Sequence, residues 1–142
     1  MRYILLLTVL LASNAFAALS FDETMASAKD GDAMAQHNLG LKYANGDGVP
    51  ENDAEAVKWF RKAADQGDAK AQVDLGLMYA EGNGVPQDSI RAYVWWSIAQ
   101  KQGDIDAAND IEILKSRMSQ QQIADAQALA AKCYESNYKD CD

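Results

Sequence analysis

Residues 31–66 and 67–102 are two copies of one unit, identical at 18 of 36 aligned positions. GDAMAQHNLGLKYANGDGVP is followed one period later by GDAKAQVDLGLMYAEGNGVP, and Trp59, Ala56 and Ala63 match Trp95, Ala92 and Ala99. Self-similarity at this period is the signature of stacked helix pairs, in which each unit buries its apolar face only by leaning on the next. The frame extends outward. Gly103-Asp104 opens a third copy, and residues 21–30 read as the second half of an earlier one. An all-α stack therefore follows before any other property of the chain is considered.

Within each copy the apolar positions separate into two helices. The first starts at Asp32 or Asp68, each directly after a glycine and each a good N-cap. Ala35, Leu39 and Tyr43, repeated as Ala71, Leu75 and Tyr79, recur at helical spacing. Gly46 and Gly82 then stop the helix as left-handed residues that carry no Cβ penalty. Asn52 and Asp88 cap the second helix, which carries Ala56, Trp59, Phe60 and Ala63 in one copy and Ala92, Trp95, Trp96 and Ala99 in the other. The tryptophans read as core.

The shared G-x-G-V-P raises the question of phosphate binding. A phosphate-cradling glycine loop follows a strand and opens a helix with its amides aimed at the anion. Here the loop follows a helix, Pro50 and Pro86 each remove a donor, and Glu51 and Gln87 stand where a third glycine would be. The loop turns a corner. Gly40 and Gly76 differ from these, because they sit inside a helix where glycine costs about 1 kcal/mol against alanine. A cost paid twice in register points to close helix packing.

The pattern A-x-A-Q-x-x-L-G-x-x-Y-x-x-G-x-G-V-P, followed by A-x-x-W-[FW]-x-x-A, closely resembles Sel1-like repeats, relatives of the tetratricopeptide repeats. The resemblance implies a short α-α superhelix, a solenoid with a C-terminal capping helix, whose first helices line the concave side. AYVWWSIAQKQGD and MSQQQIADAQALAAKC resemble a common ending of the family. The third copy departs from the pattern, with Glu112 for the packing glycine and Lys115 for the tyrosine, so residues 103–142 are expected to form a partial repeat and cap. Ser119 and Gln122 form a capping box for a last helix over about 120–134. Residues 18–30 then supply a partial N-terminal repeat helix.

The chain start reads as an export signal. Arg2 precedes an apolar run over residues 3–11, and Ala15 and Ala17 give the A-x-A cleavage pattern. The run is far shorter than the ~20 residues a membrane span needs. With residues 1–17 removed, 125 of the 142 residues remain; their 12 basic and 21 acidic side chains give a net charge of −9. A chain of this sign repels nucleic acid and anionic membrane surfaces and favours a basic partner. The two cysteines, Cys133 and Cys141, would meet an oxidising compartment and pair. So short a loop contributes ~2 kcal/mol by the chain-entropy model, and its expected role is to pin the C-terminal end of a periplasmic or secreted protein.

Catalytic and metal-binding candidates are few. His37 is the one histidine and lies within a helix; no second histidine pairs with it for metal. Asp47 and Asn83, between glycines, lack the surrounding oxygen ligands for calcium. Ser136 to Lys139 reads S-x-x-K, a serine-hydrolase motif, without the companion S-D-N and K-T-G elements. Some cysteine-rich proteins that this chain resembles are linked to β-lactam binding or hydrolysis, so a small serine-type hydrolase or binder of β-lactam or peptidoglycan-like substrates is the alternative reading. The expectation is no enzyme, no cofactor and no metal.

Positions that keep their residue between copies hold the stack; positions that vary are free for function. In the first helices the varying set is Met34, His37, Asn38, Lys42 and Asn45 against Lys70, Val73, Asp74, Met78 and Glu81, at spacings that share roughly one face. Met34, His37, Asn38, Lys42, Lys70, Val73, Asp74 and Met78 are the expected partner-binding residues of an interaction module for a protein or peptide in the cell envelope. The resemblance allows an assembly factor, or an immunity protein that masks a secreted toxin. The export reading has a direct test. N-terminal sequencing of protein recovered from a periplasmic fraction should begin at Ala18, and an intact Met1 in the membrane fraction would contradict it.

Overall fold

The computed structural model describes residues 19–142; the expected signal at 1–17 lies outside the described residues. Seven helices follow in order: α1 (Phe21–Lys29), α2 (Ala33–Asn45), α3 (Asp53–Asp65), α4 (Ala69–Glu81), α5 (Ser89–Lys101), α6 (Ile105–Lys115) and α7 (Gln120–Glu135). Within a copy α2 packs on α3 and α4 on α5; between copies α1 packs on α2 and α3 on α4. The result is an all-helical repeat stack.

The caps form where the sequence places them. Asp32, Asp68 and Asp104 accept from the backbone N–H groups of Ala35, Ala71 and Ala107 at 2.6, 2.8 and 2.8 Å. Asn52 and Asp88 do the same for Glu55 and Arg91 at 3.0 and 2.9 Å. Ser119 and Gln122 close the expected capping box. Gly46 and Gly82 end α2 and α4 with φ of 67° and 74°. The loop after each then closes on its own helix, Asn52 N–H donating to Tyr43 O and Asp88 N–H to Tyr79 O at 2.9 and 2.8 Å. A side chain on Gly84 would collide with the backbone of Asp53 and Ala54, so the second loop lies against the start of α3 and marks a close approach.

The mid-helix glycines are slots for aromatic rings. A Cβ on Gly40 would lie 2.5 Å from the Phe60 ring, and one on Gly76 would lie 2.5 Å from the Trp96 ring. Phe60 and Trp96 are buried, so each missing side chain lets the second helix of a copy come down onto the first. A second repeated device is polar. The buried Gln36 donates to Ala28 O at 3.1 Å and accepts from Gln66 at 2.7 Å. One period on, Gln72 donates to Ala64 O at 3.2 Å and accepts from Gln102 at 2.7 Å.

One expectation needs correction. Trp95 is fully buried under the Arg61 guanidinium, whose carbon lies 5.1 Å from the ring centroid. Its repeat mate Trp59 is only half-buried, with Lys62 Nζ 5.0 Å from its centroid. The cause is the cover: α1 has 9 residues where α3 has 13. The third copy leaves the repeat pattern. α6 packs on α5, but α7 crosses to pack on α5 as well. With Glu112 in the glycine position, α6 offers no ring slot, and Ala126, Ala130 and Cys133 of α7 join the main core instead.

The slots give a prediction. Alanine would gain about 1 kcal/mol of helix propensity at either glycine, against about 1–3 kcal/mol for overpacking. Trp96 is pinned by its indole N–H, which donates to Val73 O at 3.0 Å; Phe60 has no such tether and yields more readily. Gly76→Ala should therefore lower the melting temperature by several degrees, at about 4 °C per kcal/mol, and Gly40→Ala by less. Circular dichroism melting of both variants checks the order.

Candidate functional site

The first helices α2, α4 and α6 place residues one period apart at equivalent positions, and these positions fall into distinct classes. Of the expected binding residues, Met34, Asn38 and Lys70 are exposed. Val73, Asp74 and Lys42 are half-buried, and Lys42 Nζ reaches Asp47 at 3.2 Å. His37 and Met78 are buried, at 7% exposure each. His37 Nε2 lies 2.6 Å from Asp74 Oδ2, tying α2 to α4. Variation between copies thus marks two different things: a free surface at Met34, Asn38 and Lys70, and a contact between copies at His37 and Asp74. Removing the Asp74 carboxylate would strand a buried ring nitrogen, so Asp74 is a poor site for a surface substitution.

A repeated position carries the surface that variation missed. Leu41, Leu77 and Ile113 occupy one position in three successive first helices. Leu41 is half-buried, Leu77 is 42% exposed and Ile113 is 58% exposed. The signal was available in the L-G-L triplet. At about 100° per residue, Leu39 and Leu41 lie some 200° apart on the helix, and Leu39 is the one in the core.

Clefts open along this ladder. Met34, Asn38, Leu41 and Lys70 line one between α2 and α4. Leu77, Trp96 and Ile113 line another between α4 and α6, with Glu81, Asp110 and Arg117 at its edges. Burial pushes the Asp110 carboxyl above its usual value, and the negative charges of Asp106 and Asp104 add to the rise. No described helix is long and apolar enough to cross a membrane.

The Sel1 repeat profile matches residues 33–68 and 69–104, two consecutive units with the period read from the sequence. The chain belongs to the Sel1 repeat family. A sel1-like repeat-containing protein of Acanthamoeba polyphaga mimivirus is 49% identical over 39 residues, 28% of this chain and 7% of that protein. A protective antigen of uropathogenic Escherichia coli strains, described as displaying an SLR fold, superposes with a TM-score of 0.79 at 31% identity. That match covers 83% of this chain and 25% of the antigen. A Sel1 repeat protein from Oxalobacter formigenes gives 0.64 at 39% identity, over 66% of this chain and 27% of that one. The chain thus spans about a quarter or less of these similar proteins. Sel1 repeat proteins are typically non-enzymatic scaffolds and commonly protein–protein interaction modules.

The C-terminal segment of this Sel1 repeat protein is built as a clasp. Cys133 and Cys141 are joined, eight residues apart in sequence. Ser136, the serine of the S-x-x-K motif, donates to Cys133 O at 2.9 Å and accepts from the Lys139 and Asp140 amides at 3.1 and 2.9 Å. Its hydroxyl shapes the turn. Beyond the disulfide, the Asp142 carboxylate accepts from Arg61 of α3 and from Arg91 Nε of α5, the latter at 3.1 Å. Nothing in the local sequence announces this pairing, because Asp142 lies 81 and 51 residues from its partners.

The clasp is pH-sensitive in a stated direction. Burial alone would raise the Asp142 carboxyl, but hydrogen bonds and charge from Arg61 and Arg91 outweigh it and hold it below the usual carboxylate range. A carboxyl lowered in the folded state stabilises the fold above its unfolded value, near pH 4, and that contribution is lost as pH falls through the lower folded value. Asp142 is half-exposed, so the contribution is roughly 1 kcal/mol or less. Asp142→Asn should melt slightly below the unsubstituted protein at pH 7, and the gap should close as pH falls below the ordinary carboxylate range. A gap that persists unchanged in acid would contradict the clasp.

Proposed function

We propose that the protein is an exported, non-enzymatic interaction module that binds a protein or peptide in the cell envelope through the face of α2, α4 and α6. The observation that carries this reading is the ladder of Leu41, Leu77 and Ile113. Leu77 and Ile113 are exposed in register while Leu41 is half-buried against the core, and exposed apolar surface marks interaction sites. Met34 at 69% exposure extends the same face. Membership of a family of interaction scaffolds supports the reading. The signal pattern at residues 1–17 and the Cys133–Cys141 bond support a periplasmic or secreted setting. A net acidic chain favours a basic partner over nucleic acid. An envelope assembly factor and an immunity protein masking a secreted toxin are the two roles that fit such a module.

The experiment is comparative capture from periplasmic extract, with immobilised protein in three forms. The unsubstituted protein should retain a defined partner. A variant carrying Met34→Ser, Leu77→Ser and Ile113→Ser should lose it while melting nearly as before, since surface changes usually stay within about 0.5 kcal/mol. A control carrying Lys58→Ala and Lys62→Ala, exposed on the outer helix α3, should retain it. Equal capture by all three forms would show that the ladder is not the binding face.

A further inference from the structure

The cleft between α4 and α6 differs from the rest of the face in both size and charge. Its volume is about 190 Å³, below the ~300–1,000 Å³ of small-molecule sites, and it suits a single side chain. Its walls are Leu77, Ile113 and the edge of Trp96, with Leu77 and Ile113 wet over about half their surface.

The rim carries two acidic side chains, Glu81 and Asp110, and one basic one, Arg117. Asp110 forms no ion pair with any described residue, and Glu81 accepts only from the neutral Asn83 amide, at 2.8 Å. Arg117 is the one cation on the lining, and it pairs with neither carboxylate. Asp104 and Asp106 stand on the same helix as Asp110 and deepen the negative potential. Elsewhere on the face Lys42 reaches Asp47 and His37 reaches Asp74, while Lys70 forms no ion pair with any described residue. Glu81 and Asp110 lie beside the apolar cleft.

A long cationic side chain complements both features. The methylene stem of a lysine or arginine covers apolar surface while its head stays at the polar rim. We propose that the α4–α6 cleft is the socket for a lysine or arginine of an extended partner segment. The proposal rests on the first-helix face being the interaction surface, and it adds the chemistry that this face selects.

The probes are short amidated Gly-Ser peptides carrying one Lys, and the same peptides with Glu for Lys. They are titrated into the full, oxidised chain and followed by amide chemical shifts. The Lys peptide should shift residues around 77, 110 and 113, and the Glu peptide should not bind. Asp110→Asn removes the unpaired charge without disturbing any bond, so it should fold normally and weaken the Lys peptide by about fivefold. Leu77→Ser should weaken it as well. Equal binding of Lys and Glu peptides, or an Asp110→Asn variant that binds Lys peptide unchanged, overturns the socket. A protein captured through Met34 and Leu41 that leaves the α4–α6 cleft untouched also overturns it, while the interaction reading stands. A partner bound on α3 and α5 overturns both.

Discussion

The stack depends on one buried amide per copy. Gln36 and Gln72 lie inside the protein, where an unpaired amide would cost several kcal/mol, so each must find its partners in place. Each donates to the carbonyl near the end of the preceding second helix and accepts from the glutamine that caps the following one. Three consecutive helices meet at one side chain. Apolar packing alone tolerates a sliding helix; a buried amide with two fixed partners does not. The glycine slots act along the other axis of each pair, setting how closely Phe60 and Trp96 descend on the first helix. Together they fix position and depth, and the repeat reproduces both.

This arrangement explains why the third copy needs a clasp. Where the period demands a glutamine the chain has Ala108, and where it demands the slot glycine it has Glu112. Neither device is available, and α7 leaves α6 to pack on α5. What holds that end is different chemistry: small residues of α7 in the core, the Cys133–Cys141 bond, and Asp142 bridging arginines on α3 and α5. The disulfide closes too short a loop to stabilise much by entropy. Its larger effect is positional, because it holds residue 142 over two helices of the earlier copies.

The fold was legible because its determinants are local or periodic. Helix starts follow from Asp32, Asn52, Asp68, Asp88 and Ser119, each acting on an amide three residues away, and the corners follow from glycines at a fixed interval. Illegible features depend on which neighbour covers which residue. Trp59 and Trp95 occupy the same position of the repeat, yet one is half-buried because α1 is shorter than α3. His37 differs from Val73 and so looked free, but its partner Asp74 is another varying residue on the next helix. Two positions that vary together across a contact resemble two positions under no constraint. His37 and Met78, both expected to bind a partner, are buried.

The Leu41, Leu77 and Ile113 ladder failed in the opposite direction, and its position shows how the interior and the surface are connected. Repetition looked structural because Leu41 and Leu77 sit in the same L-G-L triplet as the core leucine and the slot glycine. The glycine fixes which side of the helix faces its partner helix, and Leu39 or Leu75 fills the core beside it. The next residue but one is thereby turned outward in every copy, at intervals set by the buried glutamines. An exposed apolar row with that spacing is a consequence of the same pitch that holds the stack, and a partner that reads the row reads the pitch. Changes deep in the stack, at Gln72 or Gly76, therefore act on the face by moving its rungs relative to one another, without touching any residue on it.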